Sequence, residues 1–324
     1  MIVNSKRILF IAPNFNSYHN KIIKEFRSQG YDVLFVQEKI TGWFWDLICK
    51  INPVIYKAMQ KKLLLWRLNK CGDKNYSHLI VVRGEFVDES VIQFINEKFV
   101  IEKFISYQWD SVRNNIQSLN HHNNGFKVYS FDKFDCKQYG FVYLPLFFAE
   151  KYTTQIEREY DLSFVGVYTP ERAKLISEID AVLSGHYKLY FKLKINPIIY
   201  VMLRLFSNDI SGLSRSFFTF KGFSYFQAMS VMRRSKVVLD ISHSSQSGLT
   251  MRTMEAVGCN KKLLTNNIYI KDERFYSANF VCLYDSSCIN DLKANIDSFI
   301  DGDALYSARD SYSLCSWIKS LMSV

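Results

Sequence analysis

The sequence predicts an α/β fold of two domains, each built on a parallel sheet, and three observations predict it. A chain of 324 residues exceeds what one hydrophobic core usually organises. Short apolar, β-branched runs bounded by polar turns alternate with stretches of helical periodicity, which is the pattern of βαβ units. That pattern starts afresh after a charged stretch, Glu150 to Glu159, expected as the interdomain linker. With 48% hydrophobic and 22% charged residues, the chain can bury two cores and is not expected to be disordered.

In the first half, Arg7 to Ala12 reads as a buried strand and Asn14 to Tyr18 as a polar turn. His19 to Gln29 reads as a helix closed by Gly30, and Val33 to Gln37 as a second strand. This opening is Rossmann-like, yet GxGxxG and GxxxxGK are both absent, so a dinucleotide or P-loop site is not expected there. His19, at the carboxyl end of the first strand, either positions or deprotonates an acceptor hydroxyl, its reference pKa being near neutrality, or only decorates the first helix. Further strands are expected at His78 to Arg83, Lys103 to Gln108 and Lys127 to Phe131, with a helix over Ser90 to Glu97. Their polar ends converge on one edge: Arg83, Gly84 and Glu85; Trp109, Asp110 and Ser111; Asp132 and Lys133. Glu85 and Asp110 are either acid–base groups or caps of the following segments.

Two apolar segments carry basic residues. Trp43 to Leu68 is too densely apolar for one helix face to hold it, and it contains Lys57, Lys61, Lys62 and Arg67 beside Trp43, Trp45 and Trp66. Lys192 to Phe206 repeats the KINP and Ile-Tyr signature of Lys50 to Tyr56. Core packing is the simpler reading of either segment alone; an interfacial helix on an anionic membrane is the other.

In the second half a strand is expected from Leu162 to Val167, with Gly166 near its end and Arg172 in the first turn of the next helix. Glycine there lets a backbone approach a phosphate, and arginine can fork onto its oxygens. After a strand at Phe217 to Phe220 and a helix at Tyr225 to Arg233 comes the most informative stretch, Lys236 to Asn267. It reads as a strand to Ile241, a polar loop, a helix from Leu249 to Val257 with Gly258 at C′, and a strand from Lys262 to Thr265. A helix starting at the carboxyl end of a parallel strand aims unpaired N–H groups and a positive dipole end at an anion. His243, Gln246, Thr250 and Arg252 are the polar residues best placed to meet it, and Ser247 and Gly248 of the same loop are expected at the donor as well. A strand at Phe280 to Tyr284 and helices at Asn290 to Ile300 and around Tyr312 to Met322 complete the chain. Asp301-Gly302-Asp303 follows a helix in a turn-like context and reads as a loop rather than a metal-binding DxD.

The formal charge of +10 calls for an anionic partner. Nucleotide diphosphates and anionic lipid fit it; nucleic acid is not expected, since no helix-turn-helix, zinc-finger or RNP signature is present. The seven cysteines, with no pair at metal-ligand spacing, suggest a reducing cytosol and neither disulfides nor zinc. No signal peptide and no membrane-spanning run is expected, so the expected location is the cytoplasm, including the inner face of its membrane.

The loop, the helix with Glu255-Ala256 and Gly258, and the strand after it resemble the donor-nucleotide site of GT-B glycosyltransferases, particularly CgeB-like, group-1-type enzymes of bacterial surface polysaccharide. YQWDS, SFDKFD and YLPLFF in the first half resemble acceptor-domain landmarks of the same enzymes. The resemblance implies two Rossmann-like domains facing a cleft, residues 1–149 on the acceptor side and 150–303 on the nucleotide-sugar side, with residues 304–324 forming a helix that packs across both. It implies that Glu255 binds ribose hydroxyls through charge-assisted bonds, that Gly166 and Arg172 flank the diphosphate, and that Thr250 and Arg252 stabilise the leaving phosphate. Asp110, or else Glu85, would handle the acceptor proton. Retaining members carry an acidic residue where this chain has Ser247, which leaves the stereochemistry open. No metal or other cofactor is expected, because helix dipoles and basic side chains take that role. The implied partners are a nucleotide-sugar donor and a glycan or lipid-linked glycan acceptor of lipopolysaccharide, O-antigen or capsule. An epimerase of the same fold and a catalytically silent scaffold that binds glycan or a partner enzyme are the alternatives.

Overall fold

The computed structural model describes residues 6–152, 156–207, 210, 213–242, 247–285 and 292–323. They divide into two compact units. The first holds the described residues up to Leu146, with Ser247, Gly248 and the chain from Leu314 on; the second holds Phe147 to Ser313 apart from that pair.

The first unit runs β1 (Arg7–Ala12), α1 (Tyr18–Ser28), β2 (Asp32–Gln37), α2 (Trp43–Ile51), α3 (Pro53–Asn69), β3 (Asn75–Val82), α4 (Glu89–Lys98), β4 (Val100–Gln108), α5 (Gln117–Asn123), β5 (Lys127–Ser130), α6 (Lys133–Tyr139) and β6 (Val142–Tyr143). Its strands form one parallel sheet in the order β2-β1-β3-β4-β5-β6. Ile8 pairs with Val33 on one side and His78 on the other. The centre of β1, Ile8 to Ile11, is wholly buried, because a parallel strand is covered by helices on both faces. Each such side chain contributes about 1.5–3 kcal/mol.

The second unit runs β7 (Tyr160–Val167), α7 (Pro170–Leu183), β8 (Leu189–Lys194), α8 (Pro197–Phe206), β9 (Phe218–Thr219), α9 (Tyr225–Arg233), β10 (Ser235–Asp240), α10 (Met251–Gly258), β11 (Lys262–Thr265), β12 (Val281–Leu283) and α11 (Leu292–Phe299). Its sheet, also parallel, has the order β12-β11-β10-β7-β8-β9. From β7 the chain winds outward through β8 and β9, then returns to β10 and winds the other way. The gap between the carboxyl ends of β7 and β10 is therefore the topological switch point, where sheets of this kind bind ligands. A last helix, α12 (Leu314–Met322), rejoins the first unit, with Trp317 edge-on to Tyr107 at 4.7 Å between ring centroids.

Two expectations need correction. Gly258 is not a C′ residue: it is the last residue of α10, and the left-handed position is Asn260, at φ 52°. Glycine is required at 258 for packing, since a Cβ there would lie 2.6 Å from the Phe148 ring. The two apolar-basic segments are core only in part: Leu64 and Leu68 of α3 join the core of the first unit, and Leu193 and Ile195 that of the second, whereas α2 and α8 do not. No residue of α2 or of α8 is buried, and exposure reaches 79% at Trp43 and 82% at Phe206. The shared KINP string is a pair of helix starts. Asn52 caps α3 by accepting from Val54 and Ile55 N–H, Asn196 caps α8 by accepting from Ile198 N–H, and a proline occupies the first turn of each. Composition counted the apolar residues correctly but cannot say what covers them.

No helix among the described residues is long and apolar enough to cross a membrane. The six described cysteines are free thiols. Asp301 to Asp303 lie in a turn after α11, with Gly302 at φ 87°.

Candidate active site

The second unit assembles a charged cluster at its switch point. Asp240, the last residue of β10, is wholly buried. Its Oδ1 accepts from Thr250 Oγ1 at 2.7 Å and Arg252 Nη1 at 3.1 Å. Its Oδ2 accepts from Thr253 Oγ1 at 2.9 Å and, at 3.3 Å each, from Ser242 and Thr265 Oγ atoms. A buried carboxylate is tolerated only when paired and hydrogen-bonded in this way. Thr250 also caps α10, accepting from Thr253 N–H.

Arg252 is held on three sides. It pairs with Asp240, donates from Nη2 to Val165 O at 2.9 Å, and lies 4.3 Å above the Phe164 ring. Gly166 makes that possible, because a Cβ there would come within 3.1 Å of Arg252 Nη2 and 2.8 Å of Phe164. Across the switch point Thr169 caps α7 by accepting from Arg172 N–H, and Arg172 Nη1 donates to Val167 O at 3.0 Å. Burial, and then the nearby Arg252 charge, push the Arg172 pKa down. Nε and Nη2 of Arg172 have no acceptor among the described residues. Two guanidinium groups thus face one carboxylate where two capped helices begin, an arrangement that attracts an anion.

Of the expected donor-side residues, Gly166, Arg172, Thr250 and Arg252 come together here. Glu255 sits one turn further along α10, is 2% exposed, and accepts from Ala149 N–H at 3.3 Å. Ser247 and Gly248 cluster instead with the first unit. Asp132 holds them, accepting from Ser247 Oγ at 2.6 Å and from the N–H groups of Ser247 and Gly248 at 3.1 and 3.3 Å. His243 and Gln246 lie outside the described residues.

In the first unit, β3 ends in a turn with both Arg83 and Gly84 left-handed, at φ 68° and 66°. The turn brings Arg83 between the two expected bases, 3.0 Å from Asp110 Oδ2 and 3.3 Å from Glu85 Oε2. Glu85 also pairs with Lys39 at 2.8 Å. Neither carboxylate caps a helix; Asp88 and Asp132 cap α4 and α6. His19 lies apart from them, buried on α1 and stacked on Phe35 at 5.1 Å, and its burial lowers its pKa.

Two residues escaped the sequence reading, and a third, Arg83, was noted only as a polar strand end and not as the group that joins the two expected bases. Asp240 had a signal, being charged at the carboxyl end of an apolar strand. Glu38, just past β2, had the same signal. It is fully buried, its Oε1 accepts from Phe86 N–H at 2.8 Å, and burial raises its pKa to about 7.

Solved structures resemble this chain along its whole length. The UDP-GlcNAc 2-epimerase of Methanocaldococcus jannaschii, in complex with UDP-GlcNAc and UDP, aligns over 98% of this chain and 100% of its own, with a TM-score of 0.60 and 11% identity. Anabaena HepE, in complex with UDP and glucose, aligns over 98% and 100%, with a TM-score of 0.53 and 14% identity. This chain has a GT-B fold. Sucrose-phosphate synthase from Thermosynechococcus elongatus aligns over 98% of this chain and 94% of its own, with a TM-score of 0.56 and 10% identity. No protein-family model matches the chain. No curated protein sequence matches it. At these identities the likeness is one of fold.

Proposed function

We propose that this GT-B chain is a glycosyltransferase that uses a nucleotide-sugar donor without a metal. The observation that carries the reading is the pair Arg172 and Arg252 at the β7/β10 switch point, held around one buried aspartate beside two helix N-termini. A nucleoside diphosphate supplies the missing negative charge. UDP or UDP-sugars in the solved complexes of GT-B neighbours support a donor of that class. Arg172, Arg252 and the first turns of α7 and α10 would stabilise the charge that develops on the departing diphosphate, in place of a cation. Glu255 would accept from the ribose hydroxyls, and Asp110 or Glu85, steered by Arg83, would take the acceptor proton.

The reading is tested by calorimetric titration with UDP-, GDP-, CMP-, ADP- and dTDP-sugars in EDTA. Saturable binding of at least one is expected, weakened tenfold or more in Arg172→Ala and in Glu255→Ala. Absence of binding by all five would remove the donor site.

The acceptor we propose is a bacterial surface glycan or its lipid-linked precursor. Its support is the likeness of YQWDS, SFDKFD and YLPLFF to CgeB-like enzymes, together with the exposed apolar helices. In α2 and α3 the exposed Trp43, Phe44, Ile51 and Val54 are interspersed with Lys50, Lys57 and Lys62; α8 exposes Ile198, Leu205 and Phe206 beside Arg204. Apolar side chains flanked by cations suit the interface of an anionic bilayer. Co-sedimentation with phosphatidylglycerol vesicles is expected, falling at least fivefold in Trp43→Ser/Phe44→Ser and with added salt. Equal sedimentation with neutral vesicles would contradict the charge component.

A further inference from the structure

The amino edge of the second sheet, opposite the donor cluster, carries another concentration of positive charge. Arg158 lies two residues before β7, Arg233 two residues before β10, and Lys261 one residue before β11. All three line a cavity of about 420 Å³, whose other walls include Tyr152, Ile156 and Leu305. Three separate chain segments thus deliver a cation to one place, each at the point where it enters the sheet.

Arg158 pairs with Asp303, and Arg233 lies over the Tyr152 ring at 4.4 Å. The Lys261 ammonium has neither a hydrogen-bond acceptor nor an ion-pair partner among the described residues. The full charges that act on it are those of Arg158 and Arg233, and with burial they bring its pKa down to about 8. A lysine held beside two arginines loses free energy by repulsion, and a dianion between them reverses the sign of that interaction.

We propose that this cavity is a second anion site, built for a phosphate dianion carried by a small organic body. Arginine forks match tetrahedral phosphate oxygens and lysine adds a point charge. The cavity exceeds the volume of a bare phosphate, and Tyr152, Ile156 and Leu305 give the remainder an apolar wall, as a phosphomonoester requires. Because it opens at the amino edge of the sheet, this site is separate from the donor cluster and does not depend on the glycosyltransferase reading.

The test is calorimetry of the full chain with inorganic phosphate and with glycerol 3-phosphate, at low ionic strength. One saturable site is expected for glycerol 3-phosphate, weakened at least tenfold in Lys261→Gln and in Arg233→Gln, retained in Lys261→Arg, and unchanged in Arg172→Gln. Saturation by inorganic phosphate alone would overturn the organic body. Absence of saturation by either probe, or binding that survives both Lys261→Gln and Arg233→Gln, would overturn the site.

Discussion

Asp240→Ala is expected to destabilise the second unit by about 3–5 kcal/mol, the usual consequence of removing one partner of a buried ion pair. The loss has two physical parts. Arg252, mostly buried, keeps its charge without a counter-charge, and the hydroxyls of Ser242, Thr250, Thr253 and Thr265 lose a shared acceptor. Thr250 also caps α10, so the helix start loosens with the carboxylate gone. Asp240→Asn keeps an oxygen acceptor and should cost less, while presenting an amide to groups that are themselves donors. Urea unfolding followed by fluorescence measures the effect. A midpoint for Asp240→Ala within experimental error of wild type would show that the cluster does not organise this edge.

Glu38 gives the second large effect, and its sign follows from the direction of its shift. Burial raises the folded-state pKa from the ordinary 4.5 to about 7. Between those values the folded protein holds a proton that the unfolded chain has released. The stabilisation is therefore complete below about pH 4.5 and is lost as pH rises through about 7, amounting to about 3 kcal/mol by pH 8. Glu38→Gln preserves the acceptor for Phe86 N–H and removes the ionisation. It should leave stability near pH 5 little changed and raise it at pH 8, visible as a higher melting temperature there. An identical pH slope in wild type and Glu38→Gln would mean that Glu38 does not titrate in this range.

The alternating architecture was legible because parallel strands buried on both faces are continuous apolar runs. β10 and β11 are the clearest, and the helix between them begins at a residue whose capping chemistry the sequence displays. The grouping of Gly166, Arg172, Thr250 and Arg252 followed from where strands end. Asp240 was not legible as a hub, because its partners are spread from Ser242 to Thr265 and meet only when β10, α10 and β11 pack. Glycine at 258 looked like a helix terminator, but its reason is the Phe148 ring, a contact no local pattern encodes. Exposure of α2 and α8 was undecidable for the same reason: periodicity identifies apolar residues, and only packing decides which of them find a partner. Arg83 was legible as a polar strand end but not as the link between Glu85 and Asp110, because its left-handed backbone is what turns its side chain onto them.

Mass spectrometry of the nucleotide-sugar that binds, incubated in EDTA with and without a lipid-linked glycan acceptor, tests glycosyl transfer most directly. Transfer predicts release of the free nucleotide that rises at least tenfold with acceptor, an acceptor heavier by one sugar, and loss of both in Arg172→Ala. Conversion of the donor to an isomer of equal mass without acceptor, resolved by chromatography, would contradict transfer in favour of epimerisation; a donor recovered unchanged under both conditions would leave a nucleotide-binding scaffold.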